Sequence, residues 1–242
     1  MSSPPWSFAA VAILCASLCG CASVESVDAS RDTVAKAKKV TLLALREPPV
    51  VHVVNFGGAA SLFGAVGGLV QGLTNAEHSK TFVAKLVSMK VTLKGPLQDS
   101  IVSALQKDGY QVSVDTTQYP VKTADGKSDD FSNVNVDSDA IMAVWITHEG
   151  YMSSATTTHY QPWVVIRVRL IDARTKKDLY FKTFMVGYEM HIDNAVKIPA
   201  DPKYRFSSFD DLMARMPEAV AGLIDSGNLA SAQVGADLSK QP

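Results

Sequence analysis

Five histidines, a run of hydroxyl side chains, an acidic loop and a set of evenly spaced glycines are the residues of this 242-residue chain whose types invite chemistry. His52, His78, His148, His159 and His191 include no pair four apart and no His-Glu-x-x-His, so no helical zinc motif is written here. His148 and Glu149 are adjacent, and neighbours on a strand point to opposite faces, which keeps them from serving one ion. Ser153-Ser154-Ala155-Thr156-Thr157-Thr158 leads into His159, where composition alone admits a Ser/His/Asp hydrolase. No G-x-S-x-G elbow is present to hold a serine there, and no phosphate-cradling P-loop occurs. Asp115, Asp125, Asp129, Asp130, Asp137 and Asp139 lack the register of a calcium loop and read as a solvated turn region. The expectation is no catalytic residue, no metal and no cofactor.

The glycines are more orderly. Ala60, Gly64, Gly68 and Gly72 recur every fourth residue, and on a helix they form one smooth stripe that lets another backbone approach closely. No Asp, Glu, Lys or Arg occurs from Pro48 to Ala76. The stretch Ala59 to Leu73 is shorter than the roughly 20 residues a helix needs to span hydrocarbon. Two readings stay open: packing on the domain's own sheet, or self-association in a bilayer or between subunits.

Cys15, Cys19 and Cys21 are the only cysteines, so no disulfide framework lies downstream. Trp6 to Leu18 is uncharged and almost wholly apolar, the length of a secretory h-region, although Met1 to Pro5 carries no Lys or Arg. Leu18-Cys19-Gly20-Cys21-Ala22-Ser23 resembles the lipobox of bacterial lipoproteins. Only Cys21 follows a small residue, Gly20; Cys15 and Cys19 each follow a leucine. The resemblance implies cleavage after Gly20, acylation of Cys21 and a mature chain without a free thiol. Several acyl chains anchor far more firmly than one, each buried methylene contributing about 0.8 kcal/mol. In family terms Ala22, where a retention signal has Asp, implies sorting to the outer membrane.

Behind these residues stand the elements. Residues 1–20 read as signal peptide and 21–39 as a small, polar, lipidated tether, with Arg31, Lys36, Lys38 and Lys39 near its end. Val40 to Leu45 and Val50 to Val54 read as strands, placing 40–80 as a strand plus the glycine-rich segment. After a linker at Glu77 to Lys80, Val87, Met89, Val91 and Leu93 alternate as a strand does. Pro96 opens a helix carrying Leu97, Ile101, Ala104 and Leu105, and Gly109 caps it. Strands follow from Tyr110 and over Ile141 to Ile146. Trp163 to Ile171 and Leu179 to Val186 make a hairpin, with Arg167 and Arg169 on the face opposite Val164, Ile166, Val168 and Leu170. Phe209 to Leu223 has helical spacing, with Ser208 and Asp211 as its capping box and Pro217 as a kink. The α+β domain is thus placed at 81–226, and 227–242 as a flexible tail.

The order of elements predicts an α+β fold: a two-layer sandwich, mostly antiparallel sheet with two packed helices, preceded by the glycine-rich segment. The hairpin phrase Leu170-Ile171-Asp172-Ala173-Arg174-Thr175-Lys176-Lys177-Asp178-Leu179-Tyr180 resembles the L-x-D-x-x-T-G-x-x-L-W hairpin of periplasmic accessory lipoproteins. These are the groups around the curli secretion lipoprotein and the TolB amino-terminal domain. Lys176 stands for the usual Gly and Tyr180 for the usual Trp. The near balance of 23 Lys+Arg against 24 Asp+Glu offers no basic field for nucleic acid. The expected function is a non-enzymatic accessory or assembly component of the cell envelope. It would be held by its lipid at the outer membrane, facing the periplasm, with an envelope protein as partner. The alternatives are a homo-oligomeric, membrane-active surface protein using the stripe Ala60, Gly64, Gly68 and Gly72 as a glycine zipper, and a hydrolase using Ser153 to His159.

Overall fold

The computed structural model describes residues 22–240 apart from 49, 58–63, 127, 155–158 and 189–191. In chain order it contains β1 (Ala22–Ser23), α1 (Arg31–Lys36), β2 (Lys39–Leu43), β3 (His52–Asn55), α2 (Gly64–Ser88) and α3 (Lys94–Lys107). Next come β4 (Gln111–Asp115), β5 (Val121–Lys122), β6 (Asp129–Asp130), β7 (Ala140–His148), β8 (Gly150–Ser153), β9 (Tyr160–Asp172) and β10 (Asp178–Gly187). Last are β11 (Ile192–Asp193), β12 (Val196–Ile198), α4 (Phe209–Ala214) and α5 (Met216–Asp237).

The architecture is α+β. One mixed sheet runs β12-β10-β9-β7-β2-β4, with β8 also on β9 and β3 beyond β8. Its centre, β7-β9-β10, is antiparallel over long register, and the β9–β10 hairpin falls where expected. Along β9 the even residues Val164, Ile166, Val168 and Leu170 face α3 and α5, joining Leu97, Ile101, Leu105 and Val234 in the main core. The odd residues face the other way. There Ile171 packs with Phe131 and Val134 at one end, Trp163 and Val165 pack with Met152 and Met185 at the other, and Arg167 and Arg169 lie between.

Several expectations change. The linker at Glu77 to Lys80 is replaced by α2, which runs unbroken to Ser88, and the strand over Val87 to Leu93 by the end of α2 and the turn that follows it. Glu77 and Lys80 are simply exposed on that helix, whereas Ser79, Phe82 and Leu86 are buried at helical spacing. The chain then turns at Lys90, φ +55°, so alternation over a few residues here belonged to a helix end and its turn. Pro217 does not kink a helix. The chain breaks at Arg215, and Pro217 sits in the first turn of α5, where its missing N–H costs nothing.

The residues expected as a tail, 227–242, continue α5 to Asp237 and bury Gly227, Ala230, Ser231, Val234 and Gly235 against the sheet and α3. A Cβ built on Gly235 would lie 3.2 Å from the Ala104 Cβ, so the small residues are what allow the two helices to approach this closely. Nor is the segment after Cys21 a free tether, since Val27 is hydrogen-bonded to Phe181 of β10.

Candidate functional site

The polar segment after residue 21 is bound to the sheet. β1 pairs with β11, and Val24 N–H donates to the Asp193 carbonyl at 3.1 Å. Val27 then exchanges two backbone hydrogen bonds of 2.8 Å with Phe181 on β10, and Asp28 pairs with Lys182. α1 follows, with Val34 buried in the main core. The Val27–Phe181 bridge is antiparallel, so tracing the chain back from Val27 to Ala22 leads toward Gly187, the carboxyl end of β10. Ala22 therefore lies at that end of the sheet.

β3 ends at the same side, because Asn55 is in register with Ser153, which is in register with Tyr160 at the start of β9. β3 pairs with β8 along one edge only. Its other edge is closed by side chains of α2. Ser79 Oγ accepts from Val53 N–H at 2.9 Å and donates to the Val53 carbonyl at 3.3 Å. Asn75 Oδ1 accepts from Asn55 N–H at 2.9 Å, and its Nδ2 donates to the Asn55 carbonyl at 3.2 Å. The match is geometric: four helix residues rise about 6 Å and two strand residues about 6.6 Å, so Ser79 and Asn75 meet alternate strand residues. A groove of about 550 Å³ lies beside this seam, lined mainly by Val50, Val51, Val54, Ala76 and Val83. Ser79 lies over Val53 and Asn75 over Asn55, so the first turns of α2 run on past the end of β3. On them Val70 is 51% and Leu73 66% exposed, and a Cβ on Gly72 would meet nothing within 4 Å.

Several of the residues weighed for chemistry are engaged within the fold. Ser153 is fully buried and its hydroxyl lies 3.0 Å from Asn55 Oδ1, whereas His159 is exposed. Asp115, Asp130 and Asp172 each accept hydrogen bonds from residues two or three further on, Thr117, Ser132 and Thr175, as turn-capping carboxylates do. Those bonds hold the Asp115 carboxyl down to about 2. Among the described residues no three His, Cys, Asp or Glu side chains are placed to hold a metal ion.

His52 and His148 do come together, with ring centres 6.4 Å apart, and His148 lies 4.6 Å from Trp163. Burial, then the nearby His52, lowers the pKa of His148. Its neighbour Glu149 points the other way and is 6% exposed; burial, with Glu47 adding to it, pushes its carboxyl up to about 7. Arg169 is bound through two nitrogens to Asp178, at 2.9 and 2.7 Å, and stacks over Phe131 and Phe181. Arg167 lies over Trp145 and Phe181.

In the hairpin phrase, Lys176 has φ +58°, which is why a glycine suits that place. Tyr180 is buried, and its hydroxyl donates to Asp237 Oδ2 at 2.8 Å. Burial, then that carboxylate, raises its pKa far beyond the usual phenol range.

Of the residues singled out from sequence, Gly20, Cys21, Ala60 and His191 lie outside the described residues. Gly64, Gly68 and Gly72 lie on α2 as one stripe. Sequence reasoning passed over Asn75 and Ser79, and weighed Glu149 only as a neighbour of His148, not as a buried carboxyl. Asn75 and Ser79 leave a faint signal, two small polar residues four apart on a helix. Glu149 leaves none, because only the packing around it makes a glutamate unusual.

No family model matches the chain, and no curated relative does. Solved structures with some similarity include the PelC dodecamer from Paraburkholderia phytofirmans, 11% identical over 90% of this chain and 97% of that one, TM-score 0.38. Lipoprotein GNA1162 from Neisseria meningitidis is 12% identical over 60% of this chain and 78% of that one, TM-score 0.30. Protein XCC0632 from Xanthomonas campestris is 10% identical over 84% and 87%, TM-score 0.39. Among the described residues no helix is long and apolar enough to cross a membrane.

Proposed function

We propose that this chain is a lipoprotein of the outer membrane, acylated on Cys21 after cleavage at Gly20, and that its periplasm-facing domain acts through protein contacts as an accessory component of an envelope system. It performs no catalysis. The observation that carries this reading is the docking of residues 22–28, which directly follow Cys21 in the chain, on β10 and β11. A chain anchored at Cys21 would present a fixed end of the sheet to the membrane, with no slack between lipid and domain. Confinement to that surface raises the effective concentration of the domain for partners in the same leaflet. The engagement of Ser153 with Asn55, and of the acidic side chains with their own turns, supports a scaffold in place of a reaction centre.

The test is Cys21→Ser. The variant is expected to lose the acyl mass and to move from the membrane to the soluble fraction. Unchanged maturation, acylation and fractionation would overturn the proposal. Crosslinking in cells, with identification of what is captured by the wild type and lost by Cys21→Ser, names the partner.

A further inference from the structure

The most unusual surface of the molecule is the first half of α2. From Val70 onward, where side-chain burial is described, the buried residues are Ser79, Phe82 and Leu86, in the second half, where charges also appear at Glu77, Lys80 and Lys85. From Gly64 to Ala76 the helix has no charge on any side. At 1.5 Å per residue this uncharged part is roughly 20 Å long. It extends past the end of β3, because Asn75 already lies over the last residue of that strand. Val70, Gly72, Leu73 and Ala76 are exposed there.

We infer that this end of α2 enters the apolar layer of one bilayer leaflet, as a second attachment beside the lipid on Cys21; the inference rests on the acylation proposed above. Two features favour a lipid surface over a second copy of the chain. A helix that meets a protein along one face keeps charged residues on its other faces, whereas one with no charge on any face suits an apolar surrounding. The polar side chains here, Gln71, Thr74 and Asn75, are half-buried and hydrogen-bonded within α2 or to β3. Here the polarity divides along the axis, uncharged at the tip and charged at the base. The second feature is position. Ala22, the residue after the acylated cysteine, lies at the same end of the sheet past which the α2 tip runs. One leaflet can then receive both. The tip is too short to cross, so it ends within the leaflet, and two attachment points fix the orientation of the sheet relative to the membrane.

The experiment uses the acylated, full-length mature protein in phosphatidylethanolamine/phosphatidylglycerol vesicles. Leu73→Cys and, as reference, Ala84→Cys on the charged half of the same helix each provide one free thiol for an environment-sensitive fluorophore. The probe at 73 is expected to shift to the blue and to be quenched by lipids carrying nitroxides on their acyl chains, whereas the probe at 84 keeps its aqueous emission. Equal, water-like emission at both sites, with acylation confirmed by mass, overturns the inference and leaves the anchor standing. Disulfide crosslinking between copies of the Leu73→Cys variant, without lipid quenching, also overturns it, in favour of a glycine-stripe contact between subunits. A mature protein with no acyl mass removes the anchor and this inference together.

Discussion

Asn75 of α2 meets both outward-facing backbone groups of Asn55 in β3, accepting from its N–H at 2.9 Å and donating to its carbonyl at 3.2 Å. With Ser79 doing the same for Val53, a helix supplies the ladder that a missing neighbouring strand would have supplied. An open edge would invite pairing with another chain.

Asn75→Ala and Ser79→Ala are therefore expected to cost about 1–2 kcal/mol each, since each leaves strand groups without a partner; at Val53 they are buried. Amide exchange should accelerate at Val53 and Asn55, which face α2, and far less at Val54, which faces β8. Uniform acceleration along β3 would show that the side chains do not act as this ladder.

Glu149 makes stability depend on pH. Its carboxyl has the ordinary value of 4.5 in the unfolded chain and about 7 in the folded one, because burial and then Glu47 disfavour the charge. A group raised on folding contributes in full below 4.5, and the contribution disappears as pH rises through 7. The difference corresponds to about 3 kcal/mol. Denaturant unfolding of the wild type should lose stability between pH 5 and 8 relative to Glu149→Gln, which carries no such titration. Parallel pH profiles for the two proteins would contradict this.

The carboxyl-terminal helix is structural. Tyr180 donates to Asp237, and Tyr110 donates to the Leu238 carbonyl at 2.8 Å, so two buried phenols on separate strands or strand ends depend on the last turn of α5. Truncation after Asp225 removes both acceptors, together with Ala230, Val234 and Leu238 from the core. It is expected to abolish cooperative unfolding, and Val234→Ala is expected to cost about 2 kcal/mol. A truncated protein with an unchanged thermal midpoint would show these contacts to be dispensable.

Much of the sheet was legible in the sequence. Alternation along Trp163 to Ile171 predicts which side chains enter the core, and the run Ile141 to Ile146 predicts a strand covered on both faces; the structure has both. The candidate site was legible only in part. The uncharged stretch and the spacing of Gly64, Gly68 and Gly72 stand out at once, whereas the use of Asn75 and Ser79 does not. Hydrogen bonding to a strand 20 or 26 residues earlier leaves no periodic mark.

Two stripes of small residues show where the division falls. The one at Gly64, Gly68 and Gly72 looks built for close contact, yet Gly72 faces open space. The one at Gly222, Ser226, Gly227, Ala230, Ser231 and Gly235 looks like loose tail over most of its length, yet it is buried. Sequence alone determined that both segments tolerate close approach and that one carries no charge. Only the tertiary structure decided which helix is packed, because small side chains permit contact without driving it. The drive comes from the large apolar surface opposite, here the even-numbered residues of β9 and the stripe of α3, which lie far away in the chain and fit α5.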